Sequence, residues 1–401
     1  MAWRTWLCDT MTGLIDCPIK IPSFSWTDEI SDCSLSVTRD KGLSNDSSTG
    51  ITIPWSAIPA TTAAARERMV ATYRRSIVLC WSEDNKSFGT PIVFGIIGER
   101  TDTRSDTSFD LISPWTFLGN RFALTEGTFG ASDGSMTTST LSYEGLSLRA
   151  IAANLIHVCT TMKSGGALPI DFSYENETGT HDRTAYYGYN ISNISCKQLL
   201  TNIANVNGGP DMQLRPYLTD DGMHVRLRFV AGSDSEPYLA LSGILPSLTS
   251  FDGGGTLQEI SVVTLGPSER IYATGSGSDE GTLCHLSEDL TLCEQADPWP
   301  LVESTSSNSD WDTAALVQSH GDSVLAASDK PLIQITGKVN FGSQGVPAPG
   351  TFWPGEVMSI YISDFSSLPD GEYVLRLMEI SGDQSNTATL TFDQIENPWY
   401  S

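Results

Sequence analysis

The sequence has no apolar run approaching the roughly 18 residues that a membrane-crossing helix needs. Its start, Met1-Ala-Trp-Arg-Thr-Trp-Leu-Cys-Asp9, has no basic segment followed by an apolar one, so it reads as cytoplasmic synthesis and not as a secretory signal. Cysteine is sparse, with eight residues at 8, 17, 33, 80, 159, 196, 284 and 293, and no Cys-x-x-Cys pair. A chain of 401 residues buries a core without disulfide staples, so buried free thiols are expected. Cys284-His285 and Cys293 lack a matching second pair, which argues against a zinc site. Positive charge runs out along the chain. Lys and Arg number 11 against 14 carboxylates in residues 1–120, 8 against 12 in 121–240, and 4 against 22 in 241–401. A net charge of −25 without a basic stripe disfavours a direct grip on nucleic-acid phosphates. A solvated acidic surface that favours solubility is the plain alternative use of that charge.

Reactive constellations are equally scarce. Gly130-Ala-Ser-Asp-Gly134 matches the Gly-x-Ser-x-Gly pattern of a nucleophile elbow. That motif needs a sharp strand-to-helix turn above a parallel sheet, whereas here it lies in a Gly/Ser/Thr-rich stretch. Ser132 is therefore not expected to be catalytic. The histidines at 157, 181, 224, 285 and 320 are isolated, and His157 and Cys159, two apart on a helix, point to different faces. Gly275-Ser-Gly-Ser-Asp-Glu-Gly281 has the wrong spacing for a dinucleotide fingerprint and reads as a flexible loop. Asp220-Asp221 and Asp310-Trp-Asp312 read as a turn and a helix start, and no carboxylate pair is singled out for glycoside hydrolysis. Trp6, Trp26, Trp81 and Trp115 fall beside apparent strands and are read as core. No catalytic, cofactor-binding or metal-binding residue is assigned, and no cofactor.

What is present is alternation. Residues 6–21 read as strand, turn at Thr12-Gly13, strand, followed by an alternating stretch at 33–38. Further strands are expected at 76–81, 92–98 and 107–112, with a hairpin turn at Asp84-Asn-Lys86. The C-terminal third offers strands at 258–265, 271–274, 357–362, 373–380 and 387–392. In the last of these, Ala388, Leu390 and Phe392 share one face and Thr387, Thr389 and Thr391 the other. Between these ends, a helix capped by Ser147 carries Ile151, Leu155, Val158 and Met162 on one stripe. A second helix, at 195–206, carries Leu199, Ile203 and Val206 and stops at Gly208-Gly209. Strands at 212–218 and 223–230 follow, joined through Asp221-Gly222.

The fold class read from this is α+β and mostly β, with two small antiparallel barrel-type units bracketing an α+β middle. Residues 1–120 form the first unit, with a helix at 63–75; 121–145 is a linker; 146–245 is the inner α+β domain; 246–401 is the second unit, with a helix at 311–327.

The opening Trp6-Leu-Cys-Asp-Thr-Met-Thr-Gly-Leu-Ile15, the following Trp26, and the closing Pro354-Gly-Glu-Val-Met-Ser-Ile360 with Leu368-Pro-Asp-Gly-Glu-Tyr-Val-Leu-Arg-Leu-Met-Glu-Ile380 resemble minor tail proteins of actinobacterial siphophages. More broadly, the chain resembles the tail hub, or baseplate hub, family of long-tailed phages. The resemblance implies tube-type barrels in a homotrimer, whose two barrels per chain make a pseudo-sixfold ring between a sixfold tube and a threefold tip. It implies a virion protein at the tail tip, assembled in the bacterial cytoplasm and not an enzyme. Implied partners are a distal tail protein ring, the tape-measure C-terminus, and tip or receptor-binding proteins, with genomic DNA passing without specific binding. Many such proteins add a C-terminal cell-wall hydrolase, whereas this sequence ends at Asn397-Pro-Trp-Tyr-Ser401, after the second unit. The rival reading is a host-adsorption or carbohydrate-binding tail protein. A third, a cell-wall hydrolase, requires a nucleophile or metal cluster. The acidic C-terminal third is expected to line part of the channel as a repulsive wall.

Overall fold

Residues 76–81, Ser-Ile-Val-Leu-Cys-Trp, are nearly all apolar, and a strand of that composition needs cover on both faces. In the computed structural model, which describes residues 2–33, 36–44, 51–84, 87–130, 137–206, 208–239 and 246–394, it has that cover. Strand Arg75–Ser82 lies within a six-stranded sheet of antiparallel pairs. The order is Ile15–Pro18, Ala2–Asp9, Arg75–Ser82, Thr90–Asp102, Asp106–Ile112, Ile51–Pro54. Ile77, Leu79 and Trp81 face one core, and Val78 and Cys80 face another.

The first of those cores is shared with the C-terminal strands, so the two strand-rich ends are one packed body. Leu7, Ile53, Val93, Ile97 and Phe109 meet Leu248, Ile335, Met358, Leu377 and Phe392 in a single cluster. The second unit runs Gln258–Leu265, Leu332–Asn340, Thr387–Gln394, Gly371–Asp383, Val357–Ile362, Ser247–Phe251. Ala388, Leu390 and Phe392 are buried as their alternation requires. Among the described residues neither sheet closes by strand pairing. In the first, Ile15–Pro18 and Ile51–Pro54 remain separate edges. In the second, Ser247–Phe251 turns back on the short strand Gly254–Gly255, and Leu257 N–H donates to the Thr249 carbonyl at 2.9 Å just before Gln258–Leu265 begins.

The alternating stretch at 33–38 is not one strand. Strands Ser25–Cys33 and Ser36–Ser44 form a hairpin there, with residues 34–35 outside the described residues. Ser25–Cys33 then pairs with the second half of Gly371–Asp383, whose first half pairs with Val357–Ile362. A hairpin that begins in the first unit therefore extends the sheet of the second.

The expected helix at 63–75 spans only Ala63–Met69, capped by the Thr62 hydroxyl. Tyr73, at φ 60°, donates its N–H to Ile97, and Arg75 is drawn into the sheet opposite Asp9. Sheet pairing overrides the helix-forming arginines there. The hairpin turn after Asp84 has its central residues, 85–86, outside the described residues, and Asp84 accepts the Ser87 N–H at 2.9 Å.

The stretch expected to be a linker ends in a strand. Thr140–Leu146 pairs with His181–Tyr187. Helix Leu148–Cys159 follows, with the Ser147 hydroxyl accepting from Ala150 N–H. Ile151 and Leu155 are buried in the core behind the first sheet's second face and Val158 is buried as well, but the helix has ended before Met162, which is exposed. Helix Cys196–Ala204 packs beside it. The hairpin Met212–Leu218 and Val225–Ala231 completes this layer and touches the long sheet through Met212 and Thr38.

Residues 266–331 form a small lobe inserted between strands of the second unit. Its sheet runs Cys284–Glu288, Arg270–Thr274, Glu303–Ser307. The helix expected at 311–327 spans Ala314–Ser328, capped by Thr313. It packs on this lobe's strands, where Ala273, Trp311 and Val317 make a small buried cluster of their own.

Candidate functional site

The residues that sequence reasoning weighed for chemistry are dispersed. Ser132 lies outside the described residues. His157 Nδ1 sits 3.1 Å from Glu175 and its ring stacks on Phe172, while Cys159 is buried in the helical core; they form no dyad. Asp221 stays in its turn, accepting from Thr219 and Met223 N–H. Asp310 accepts from Gln198 at 3.0 Å, tying the lobe to the middle layer. Among the described residues no group of His, Cys, Asp and Glu could hold a metal ion, and no helix is long and apolar enough to cross a membrane. Cys8, Cys80, Cys159 and Cys196 are buried free thiols, Cys17 and Cys293 are half-buried and Cys284 is exposed; burial pushes the Cys80 and Cys196 thiols well up.

Three features stand out instead. The first is the seam between the two strand-rich units. Trp26 is buried in it, with Trp3 at 5.0 Å between ring centroids, and Trp3 in turn meets Trp81 and Phe341. The Trp3 indole N–H donates across the seam to Ser385 O at 2.7 Å, and that of Trp26 to Asp383 O at 3.3 Å. A Cβ on Gly382 would stand 3.1 Å from Trp26 Nε1, so the small residue lets the indole lie on the neighbouring strand. Trp26, Trp81 and Trp115 are core residues as read from sequence; Trp6 is half-buried, stacked on Phe88.

The second is a buried charged clasp between the middle hairpin and the second unit. Asp211, 1% exposed, is bound by Arg376, and Glu356, 2% exposed, is bound by Arg215 at 2.6 Å. Gln213, from the same strand edge, donates to Pro354 O. Tyr238 covers the Arg376 guanidinium at 4.5 Å and Trp353 covers that of Arg215 at 5.7 Å. Asp211 Oδ2 also accepts from Leu239 N–H, but its Oδ1 is buried with no hydrogen-bond partner among the described residues. Burial outweighs the pull of Arg376 and pushes the Asp211 carboxyl up to about 6, and burial pulls the Arg215 guanidinium down. Sequence reasoning missed this clasp, because an isolated Asp, Gln and Arg in alternation look like any solvated strand edge.

The third is where the negative charge sits. Of the 22 carboxylates in residues 241–401, twelve lie in the lobe of 66 residues, which has only Arg270 and Lys330 as cations. Arg270 is already paired with Glu288 and Glu303. The acidic excess is thus heavier on the inserted lobe than on the strands of the second unit.

No protein-family model matches the sequence, and no curated protein sequence matches it. In fold the chain is similar to the tail protein from Neisseria meningitidis MC58, at 15% identity and a TM-score of 0.50, over 98% of this chain and 97% of that one. It is also similar to the 43 kDa tail protein of prophage MuSo2 from Shewanella oneidensis, at 10% identity and a TM-score of 0.49, over 97% and 98% of the two chains. A third is the prophage tail protein gp18 from Listeria monocytogenes EGD-e, at 10% identity and a TM-score of 0.44, over 97% and 94%. The first likeness runs nearly end to end in both chains, and it shows that this α+β, mostly β chain has the fold of a tail protein.

Proposed function

We propose that this chain is a structural protein of a phage tail, and that it forms the trimeric hub at the distal end of the tail tube. One observation carries the reading. Two strand-rich units within one chain, a six-stranded sheet and part of a twelve-stranded one, share a core and are stitched by the Ser25–Cys33 strand, in a fold similar throughout to a tail protein. Three such chains supply six units, which matches a sixfold tube above and a threefold tip below. Among the described residues, the edge strand Ile51–Pro54 has one side that no strand pairs and that a neighbouring chain in a ring would cover, whereas the start of Ile15–Pro18 is already bonded to Met223. Partners on this reading are a ring of distal tail protein, the end of a tape-measure protein, and tip or receptor-binding proteins.

Passage of DNA through such a ring calls for a wall that does not adhere, because Lys and Arg hold phosphate through counterion release. Carboxylates of the second unit and its lobe would repel DNA over a Debye length of ~8 Å at physiological salt, and so would act only in a narrow bore. Gold-labelled antibody against the purified chain tests the location. It decorates the distal end of the tail if the reading holds; decoration along the tube or at the head refutes it.

A further inference from the structure

At one end of the second unit the loops after Ser247–Phe251 and Val357–Ile362 enclose an open cleft of about 420 Å³, inside the ~300–1,000 Å³ range of small-molecule sites. Its floor is Ile260 and Phe365, both half-buried against the main core. Its rim carries Phe251, Asp252, Gln258 and Asp364. Phe251 is half exposed, and its ring is laid flat by the residue beneath it: a Cβ on Gly254 would stand 2.4 Å from ring atom Cε2. The ring thus lies against the Gly254 backbone, while about half of the side chain stays exposed to solvent.

The polar rim is held as firmly. Among the described residues Asp364 is one of four non-glycine residues at positive φ, at 61°, and its N–H is bound by Asp370 Oδ1 at 2.9 Å. Glu259, on the opposite side at φ 49°, is a second of the four, and it is ion-paired to Lys338. Non-glycine residues in that region cost free energy and cluster where a surrounding structure must aim a side chain. Asp252 has no partner among the described residues. Lys338, the cation beside the cleft, is already committed to Glu259, so an anionic ligand would meet uncompensated carboxylates.

We propose that this cleft binds a neutral pyranose. The open Phe251 face takes the apolar C–H face of the ring, and Asp252, Asp364 and the Gln258 amide take its hydroxyls. A fixed aromatic plane beside carboxylate acceptors suits a rigid polyol, because neither partner must be reordered on binding. A compact ammonium ion would also gain from the Phe251 face beside the carboxylates, but it would leave most of the 420 Å³ cleft unfilled. The inference does not depend on where the chain sits in a particle or on its copy number.

Saturation-transfer NMR on the intact protein, with methyl glycosides of glucose, galactose and N-acetylglucosamine at millimolar concentration, tests it. A lysine derivative with both ends blocked serves as the cationic probe. The expected result is transfer to at least one glycoside, strongest at the protons of one ring face. Phe251→Ala and Asp252→Asn should each weaken that binding by about tenfold, as removal of one well-placed stacking or hydrogen-bonding group does, without moving the unfolding midpoint. Gly254→Ala, which displaces the ring without removing it, should weaken it too. Absence of transfer to every glycoside overturns the proposal. So does equal transfer in both rim variants, or transfer confined to the lysine derivative.

Discussion

The Asp211–Arg376 clasp makes the protein's stability depend on pH in a direction opposite to that of most carboxylates. The ordinary aspartate pKa of 3.8 is raised in the folded protein to about 6, because burial disfavours the charge more than Arg376 and Leu239 N–H favour it. A group bound more tightly to its proton in the folded state contributes stability that is full below about pH 4 and is lost as pH rises through about 6. That rise corresponds to roughly 3 kcal/mol, an upper figure for a pair this buried. Asp211 Oδ1 is the structural counterpart, an oxygen that finds no donor among the described residues to support a full charge. Urea unfolding at pH 4.5, 5.5, 6.5 and 7.5 should be compared between the native chain and Asp211→Asn, so that titrations elsewhere cancel. The difference between the two proteins should fall by about 1–3 kcal/mol over that range. A difference that is flat, or that grows with pH, refutes the argument.

Arg215→Ala leaves Glu356 buried without its cation and should cost about 3–5 kcal/mol in urea unfolding, whereas Arg215→Met with Glu356→Leu together should recover most of it. Trp26→Ala empties the seam and should cost about 3–5 kcal/mol; a loss near zero would show that the two units are held by strand pairing alone. Timed alkylation followed by mass spectrometry should modify Cys284 first and leave Cys8, Cys80, Cys159 and Cys196 untouched until the chain unfolds.

Local pattern was legible where one principle decided the outcome. Period-two alternation placed 258–265 and 387–392 on their strands, and the Ser147 cap placed the start of Leu148–Cys159. The end-to-end likeness to the Neisseria meningitidis tail protein is a likeness of fold. Long-range pairing was not legible. Nothing in Ser25–Cys33 announces that its partner is Gly371–Asp383, more than 300 positions on, so local pattern does not show that the two units share a core. Met162 continued an apolar stripe past a helix end that Thr160 sets through its backbone, and local periodicity carries no sign of that. The strands of residues 266–331 look like those of the second unit, and only packing sets them apart as a lobe. The clasp and the Phe251 cleft depend on burial and on chain reversal, which composition does not encode.

A three-dimensional reconstruction of the tail end, with this chain traced in it, is the most direct test of the hub. The account predicts three copies, with residues 1–120 and 246–401 alternating around the axis and carboxylates of the second unit or its lobe toward the bore. One copy or six at that level would contradict the hub, and a bore lined by neutral or basic side chains would contradict the acidic wall.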